Sequence, residues 1–292
     1  MGRPRVAFQG ELGAYSEEAV RARWGDAAEP VPARTCDDVC RLVARGDAAY
    51  GVLAVENTIA GSVTATCDAL AAAPGVRAVG EVVLPIHHCV LAVPGATLGG
   101  LAALESHPVA LAQCGRFLAE HPHLEARAAY DTAGAARAVA AAGDPRRAAL
   151  AGRAAAARFG LAVLAAAVED RPDNQTRFYV VAPAGRPAGA PDDAPDALPN
   201  DSPGGPARTA LLAVPPNAPG ALVRLLEPFA AAGLNLSAIE SRPTGDPWAY
   251  RFFLEVEHAA GDPALDRALG QARGAAGDLR VLGTFARAAS AA

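Results

Sequence analysis

The residues able to do chemistry fall in a few clusters. Residues 10–16 (GELGAYS) follow a short apolar run. Glycines there let a backbone approach a ligand, and a helix starting after them would offer free N–H groups to an anion. The same spacing also serves an ordinary strand-to-helix turn. It lacks the third glycine of a dinucleotide fingerprint, which argues against a nicotinamide cofactor. In residues 55–63 (VENTIAGSV), Glu56 and Asn57 come directly after an apolar run. The C-terminal end of a buried strand is where an α/β site is expected, although a capped helix start fits as well. A third cluster is Ser106-His107-Pro108, with Gln113-Cys114 following, and a fourth is Asp173-Asn174-Gln175-Thr176-Arg177-Phe178. Arg177 opens an apolar strand, which fits a charge facing a cleft or a solvated strand end.

Other candidates read as structural. His87 and His88 are adjacent, so on a strand they point to opposite sides and do not chelate together. His121 and His123 flank Pro122 in a stretch expected to be a loop, and no Ser–His–Asp order stands out. The pairs Asp37-Asp38 and Glu169-Asp170 read as surface charge. Cys36 and Cys40 are one helical turn apart without a second pair, so no metal site is expected. Near the end of the chain, Gly220-Ala221-Leu222-Val223 starts a helix after PPNAPG, and Glu240-Ser241-Arg242-Pro243 ends a strand. Free helix N–H groups beside a Glu/Arg pair could hold the two charges of an amino acid.

Composition removes several function classes. The 292 residues include 74 alanines and no lysine, so all 26 basic residues are arginine. Without an amine there is no Schiff-base lysine, no pyridoxal-phosphate attachment and no P-loop. The net charge of −5 and the absence of a basic stripe argue against nucleic acid. Five cysteines, an odd number in a long chain, read as free thiols of a reducing compartment. Neither a signal-peptide core nor a run of about 18 strongly apolar residues occurs. A cytoplasmic protein without a membrane segment is the expectation.

The elements that must position these clusters divide at residues 184–206. Six prolines, four glycines and four aspartates occur there without an aromatic, which predicts a disordered linker. Before it, strands are expected at 5–9, 51–55, 81–93 (one or two), 108–111, 148–151 and 176–182. Helices are expected from Ser16 as N-cap through residue 23, and at 115–120, 132–142 and 152–159. Alternating strands and helices imply an α/β domain with a largely parallel sheet. After the linker, strands at 209–214, 234–241, 248–257 and 279–286 and helices at 220–232 and from Asp262 or Pro263 give the order βαββαβ, a ferredoxin-like unit. Leu222, Leu225, Leu226 and Phe229 carry the helical period.

Taken together, these segments resemble the prephenate dehydratase family, including the arogenate dehydratases. The family's G-x-x-G-[STA]-[YF]-S turn is similar to residues 10–16, and its V-E-N-[ST]-x-x-G-S-V segment to 55–63. Its L-P-[IV]-x-H-x-L strand resembles 84–91, S-H-P-x-x-x-x-Q-C matches 106–114, and N-x-T-R-F matches 174–178. The G-A-L and E-S-R-P motifs of its C-terminal ACT domain resemble 220–222 and 240–243. Thr58 stands where serine is common, and Val109 where glutamine often follows the proline.

The resemblance implies a two-lobed, periplasmic-binding-protein-like catalytic domain over residues 1–183, plus an ACT regulatory domain over 207–287. Lobe 1 would hold about 1–84 and 167–183, and lobe 2 about 85–166, with the site between them. The implied reaction is the decarboxylating dehydration of prephenate to phenylpyruvate, a carbon–oxygen lyase step without metal or cofactor. Arg177 would bind a carboxylate bidentately, and Thr176 would hydrogen-bond the departing hydroxyl. Asn57, Ser106 and Gln113 would orient the ring substituents, with Glu56 behind them. Gly13, Ala14, Tyr15, Ser16, Thr58 and Phe178 would contact substrate. L-Phenylalanine would bind at a subunit interface through Gly220, Ala221, Leu222, Val223, Glu240 and Ser241, in a homodimer or homotetramer. Arogenate is the rival substrate, with Asp131 or Asp170 the residues able to face its ammonium. A non-enzymatic amino-acid sensor is the rival from another class. No chorismate mutase helix is expected before the first strand.

Overall fold

The structure is a computed structural model that describes residues 2–185 and 204–288. Lobe 1 begins with β1 (Arg5–Gln9), α1 (Tyr15–Trp24), β2 (Glu29–Ala33), α2 (Cys36–Ala44), β3 (Tyr50–Asn57), the two-residue β4 (Gly61–Ser62), α3 (Thr64–Ala72) and β5 (Val76–Pro85). The chain then crosses into lobe 2. There it forms β6 (Cys89–Ala92), β7 (Ala103–Ser106), α4 (Pro108–Ala112), α5 (Gly115–Glu120), β8 (Glu125–Ala128), α6 (Thr132–Ala142), β9 (Arg147–Ala151), α7 (Arg153–Phe159) and β10 (Ala162–Ala165). It returns to lobe 1 as β11 (Gln175–Pro183), which inserts between β3 and β5. The strand orders are β2-β1-β3-β11-β5 and β10-β6-β9-β7-β8.

Each sheet is mixed. β1 pairs β2 and β3 in parallel, and β7 pairs β8 and β9 in parallel, while β11 and β6 run antiparallel to both neighbours. The largely parallel sheet expected from the sequence is therefore corrected. The antiparallel strands are the ones next to the crossings: β6, the first strand of lobe 2, and β11, by which the chain re-enters lobe 1.

Local chemistry explains the helix ends. The Asp131 carboxylate caps α6 at the Gly134 amide, 2.8 Å away, and Gly143 ends that helix at φ +64°. The segment 108–111 is not a strand: His107 caps the start of α4, and Pro108 takes the first helical position, where its missing N–H costs nothing. Ala14, not Ser16, is the N-cap of α1. In α6, Ala133, Gly134, Ala135 and Ala136 are all buried, so small side chains bring the helix close to its sheet.

The C-terminal unit follows the expected order: β12 (Pro206–Val214), α8 (Ala221–Ala231), β13 (Asn235–Pro243), β14 (Tyr250–Ala259), α9 (Pro263–Ala275) and β15 (Asp278–Ala286). Its sheet order is β13-β14-β12-β15. Leu211, Leu254 and Val256 pack with Leu225, Phe229 and Leu265 of the helices. Leu212, Phe253, Leu282 and Phe285 face the other way, and share a core with Leu53, Val55 and Tyr179 of lobe 1. At the closest point a Cβ on Gly283 would lie 2.0 Å from the Ala78 carbonyl oxygen, so β15 docks on β5 only because that residue is glycine. Residues 186–203, most of the expected linker, lie outside the described residues. Pro206 already pairs with Ala259 in β12, and the Ala184 amide donates to Gly75.

Candidate active site

The site is built where β3 and β11 end side by side. Thr176 lies opposite Asn57 and Arg177 opposite Glu56, after which the register shifts so that Phe178 faces Ala54. Val55 is the extra residue of a bulge, a device that re-aims side chains beside functional sites. As a result Ala54, Asn57, Thr176 and Phe178 line a cavity of about 450 Å³ between the lobes. Val55, Glu56, Arg177 and Tyr179 lie on the opposite face of the sheet.

The cavity floor is a chain of amides whose donor directions are fixed. Asn57 Oδ1 accepts from the Ile59 and Ala60 amides at 3.0 and 2.8 Å, which sets the orientation of its amide. Its Nδ2 therefore donates to Thr176 Oγ1 at 2.9 Å and to Asn174 Oδ1 at 2.8 Å. Gln113 Nε2 donates to Asn57 Oδ1 at 3.1 Å, so Gln113 Oε1 accepts from Asn174 Nδ2 at 3.1 Å and faces His88 Nε2 at 3.0 Å. A neutral His88 then carries its proton on Nε2, leaving its Nδ1 and the His87 carbonyl, each 2.9 Å from the Tyr15 hydroxyl, to share that hydroxyl's one proton. Burial holds the His88 imidazole below its ordinary value and pushes the Tyr15 phenol well up. Thr176 Oγ1 already accepts, and its own proton finds no protein acceptor among the described residues, so the hydroxyl is a donor aimed at whatever fills the cavity.

Asn57 and Thr176 belong to lobe 1 and Gln113 to lobe 2, while His88 and Asn174 sit on the two crossovers. Those crossovers are tied together. Ile86 N donates to the Asn174 carbonyl at 2.8 Å, and the buried Glu169 accepts from the His88 amide at 2.8 Å and meets His87 Nδ1 at 2.7 Å. Glu169 is thus not surface charge, and Asp170 caps α5 at the Gly115 and Arg116 amides.

No arginine among the described residues lines the cavity. Its anion-holding groups are backbone amides at the starts of α1 and α3, neither of which has a side-chain cap, and the imidazole of His107. His107 Nδ1 accepts from the Val109 amide at 3.3 Å, leaving Nε2 as the free nitrogen. Asp131 also lines the cavity, and burial raises its carboxyl from its ordinary value. Among the described residues no three His, Cys, Asp or Glu side chains are grouped to hold a metal.

Of the residues singled out from the sequence, Asn57, Gln113, Thr176, Ala14, Tyr15, Ser16 and Phe178 meet at this cavity. Three catalytic expectations are corrected. Arg177 and Glu56 point away because side chains alternate along a strand and the bulge turns Glu56 with Val55. Ser106 is wholly buried and donates to the Leu150 carbonyl at 2.6 Å. Thr58 lies beside the cavity, bonded to the Asp173 carbonyl and the Gln175 amide, and Gly13 backs onto Ala155. His88 reads as structural in the sequence, His107 and Asn174 fall in the clusters above without a role of their own, and Asp131 is named there only as a residue able to face an ammonium. His88 and Asn174 adjoin the apolar strands by which the chain changes lobe, whereas His107 and Asp131 follow β7 and β8 within lobe 2. Glu240 and Ser241 lie on β13, an edge strand, and Gly220 to Val223 form the start of α8.

Two α/β lobes closing on a polar-floored cavity, with a βαββαβ unit docked behind the strand that carries the floor, define a small-molecule cleft protein fused to a regulatory-type module. The prephenate dehydratase family model matches residues 6–186, and the ACT domain model matches 210–274. The chain belongs to the prephenate dehydratase family. A prephenate dehydratase of Amycolatopsis methanolica is 36% identical over 286 residues, 97% of this chain and 89% of the relative. Arogenate dehydratase 2 of Petunia hybrida is 35% identical over 298 residues, 97% of this chain and 72% of the relative. The structure of a prephenate dehydratase from Arthrobacter aurescens in complex with L-Phe matches with a TM-score of 0.84 at 32% identity, covering 97% of this chain and 90% of that one.

Proposed function

We propose that the protein is a prephenate dehydratase, a carbon–oxygen lyase that converts prephenate to phenylpyruvate, carbon dioxide and water. The observation that carries this reading is the Thr176 hydroxyl, held as a donor by Asn57 inside the cavity between the lobes. As the ring carboxylate leaves as carbon dioxide, its bonding pair enters the ring and the ring hydroxyl departs with its electrons. Aromatisation makes the step downhill, so the protein has to orient the substrate and stabilise the departing oxygen. Thr176 donates a hydrogen bond to that oxygen, and proton transfer completes water. A threonine hydroxyl is too weak an acid to do this by full transfer unaided. Preorganised donors of this kind are worth roughly 2.7–4 kcal/mol each. The two carboxylates fall to the amides at the starts of α1 and α3 and to His107, and the ring packs on Phe178, Ala54 and Ile86.

We assign residues 1–183 to catalysis and 207–287 to regulation by L-phenylalanine, which the complex of the Arthrobacter relative supports. Val223, Ile239, Trp248 and Tyr250 are exposed apolar residues on or beside the elements bearing the expected effector residues. That exposure supports a homodimer or homotetramer joined through this unit. No helix among the described residues is long and apolar enough to cross a membrane, and we assign the protein to the cytoplasm with the biosynthetic enzymes it resembles.

A second reading, arogenate dehydratase, is favoured by the carboxyl of Asp131 on the cavity wall, which could face the substrate's ammonium. Purified protein offered prephenate and arogenate side by side separates the two. Phenylpyruvate formed with the higher kcat/KM supports the main reading, and phenylalanine formed preferentially from arogenate overturns it. No product from either, with phenylalanine still bound, would indicate a sensor.

A further inference from the structure

The strand that carries Thr176 is gripped from behind by the regulatory unit. Between Thr176 and Phe178, Arg177 points at β14 and takes the Glu255 carboxylate in a two-pronged pair. Nη1 meets Oε1 at 2.7 Å and Nη2 meets Oε2 at 2.9 Å. Nη2 also donates to Glu56 at 2.8 Å, and Nη1 to Glu81 at 3.3 Å. The Tyr179 hydroxyl, on the same face of β11, donates to Glu255 as well. Glu81 accepts in turn from Arg208 at 2.6 Å and from the Ala288 amide at 2.9 Å. The side chains of Arg177, Arg208, Glu81 and Glu255 are 13%, 8%, 2% and 9% exposed, so two cations and two anions balance in a dry layer between the units.

Such a cluster is a poor source of stability, since apolar residues of similar volume often pack as well or better. A planar fork on a carboxylate supplies direction instead. Here it fixes Arg177 beside the bulge at Val55 of β3, where the β3–β11 ladder shifts register while β11 stays paired with β5. We propose that Glu255 and Arg177 are positioning residues for the dehydration, the regulatory unit's carboxylate holding Arg177 and, through the backbone, the Thr176 hydroxyl at its working angle. This rests on the reading above, in which Thr176 serves the departing hydroxyl. The catalytic site is then incomplete without β14. Glu240 pairs across from Phe253, two residues from Glu255, so a ligand held at 240–241 has a short route to the pair.

The test compares Glu255→Gln and Arg177→Lys, which keep size or charge but lose the two-pronged pair, with Arg280→Ala. Arg280 also bridges the units, donating to the Ala71 carbonyl at 3.0 Å, but does not touch β11. An interaction felt in the transition state lowers kcat and leaves KM nearly unchanged. With prephenate, Glu255→Gln and Arg177→Lys are expected to lower kcat by about 10-fold or more with KM within about 2-fold, while Arg280→Ala keeps kcat within about 2-fold. Wild-type kcat in both pair variants, or an equal loss in Arg280→Ala, overturns the proposal. A wild-type protein inactive on prephenate would defeat the functional reading separately. Amide exchange across 175–178 then decides the inference: faster exchange in Glu255→Gln than in Arg280→Ala supports it, and equal exchange overturns it.

Discussion

Asn57 and Thr176 face each other across β3 and β11, and the Asn57 amide donates to Thr176 Oγ1 at 2.9 Å. The direction of this bond decides what the hydroxyl can do. An acceptor in place of Nδ2 would capture the Thr176 proton and leave none for the cavity. Asn57→Asp makes that change with almost no change in volume. It is expected to lower kcat by about 100-fold with a smaller effect on KM, on the scale of losing one preorganised donor. Steady-state kinetics on the variant, with circular dichroism to confirm folding, checks it. Unchanged kcat would show that the bond direction does not matter.

His88 makes the floor sensitive to acid. Burial holds its imidazole below the ordinary value of 6.5, so the folded protein keeps it neutral where the unfolded chain already binds a proton. The stability this contributes is complete above about pH 6.5 and is lost as the pH falls towards the lowered folded value. Protonation also puts a hydrogen on Nδ1, which then cannot accept from Tyr15. Thermal unfolding from about pH 8 to pH 5.5 is expected to show a steeper loss of Tm for wild type than for His88→Asn. Parallel curves would mean His88 is not the group responsible.

Gly283 permits the contact between β15 and β5. Adding a methyl group that meets the Ala78 carbonyl at 2.0 Å forces the strands apart. Gly283→Ala is expected to cost about 1–3 kcal/mol, the usual penalty of overpacking. Chemical denaturation measures it, and an unchanged midpoint would show that the two units do not need this approach.

What the sequence reveals about the site follows from what a strand shows locally. Polar residues after apolar runs point to Asn57 and Gln113, the family resemblance to Thr176, and all three meet. The βαββαβ unit was legible because Leu222, Leu225 and Phe229 keep a helical period and Phe252, Leu254 and Val256 alternate. Arg177 and Glu56 were misread because their orientation depends on a bulge at Val55, which no local pattern announces. The partner that explains Arg177, Glu255, lies 78 residues away in another unit. His88 looked like a core histidine because its partners come from β11's approach, α4 and α1. β2, the segment EPVPA, was missed because proline argues against a strand, yet this strand is an edge and pairs only with β1.

The most direct measurement is turnover of saturating prephenate by Thr176→Ala and Thr176→Ser. Loss of the hydroxyl is expected to lower kcat at least about 100-fold, a loss of about 2.7 kcal/mol, while serine, which keeps the donor, stays within about 10-fold of wild type. Wild-type turnover in Thr176→Ala would contradict a role for this hydroxyl in the departure of the ring oxygen.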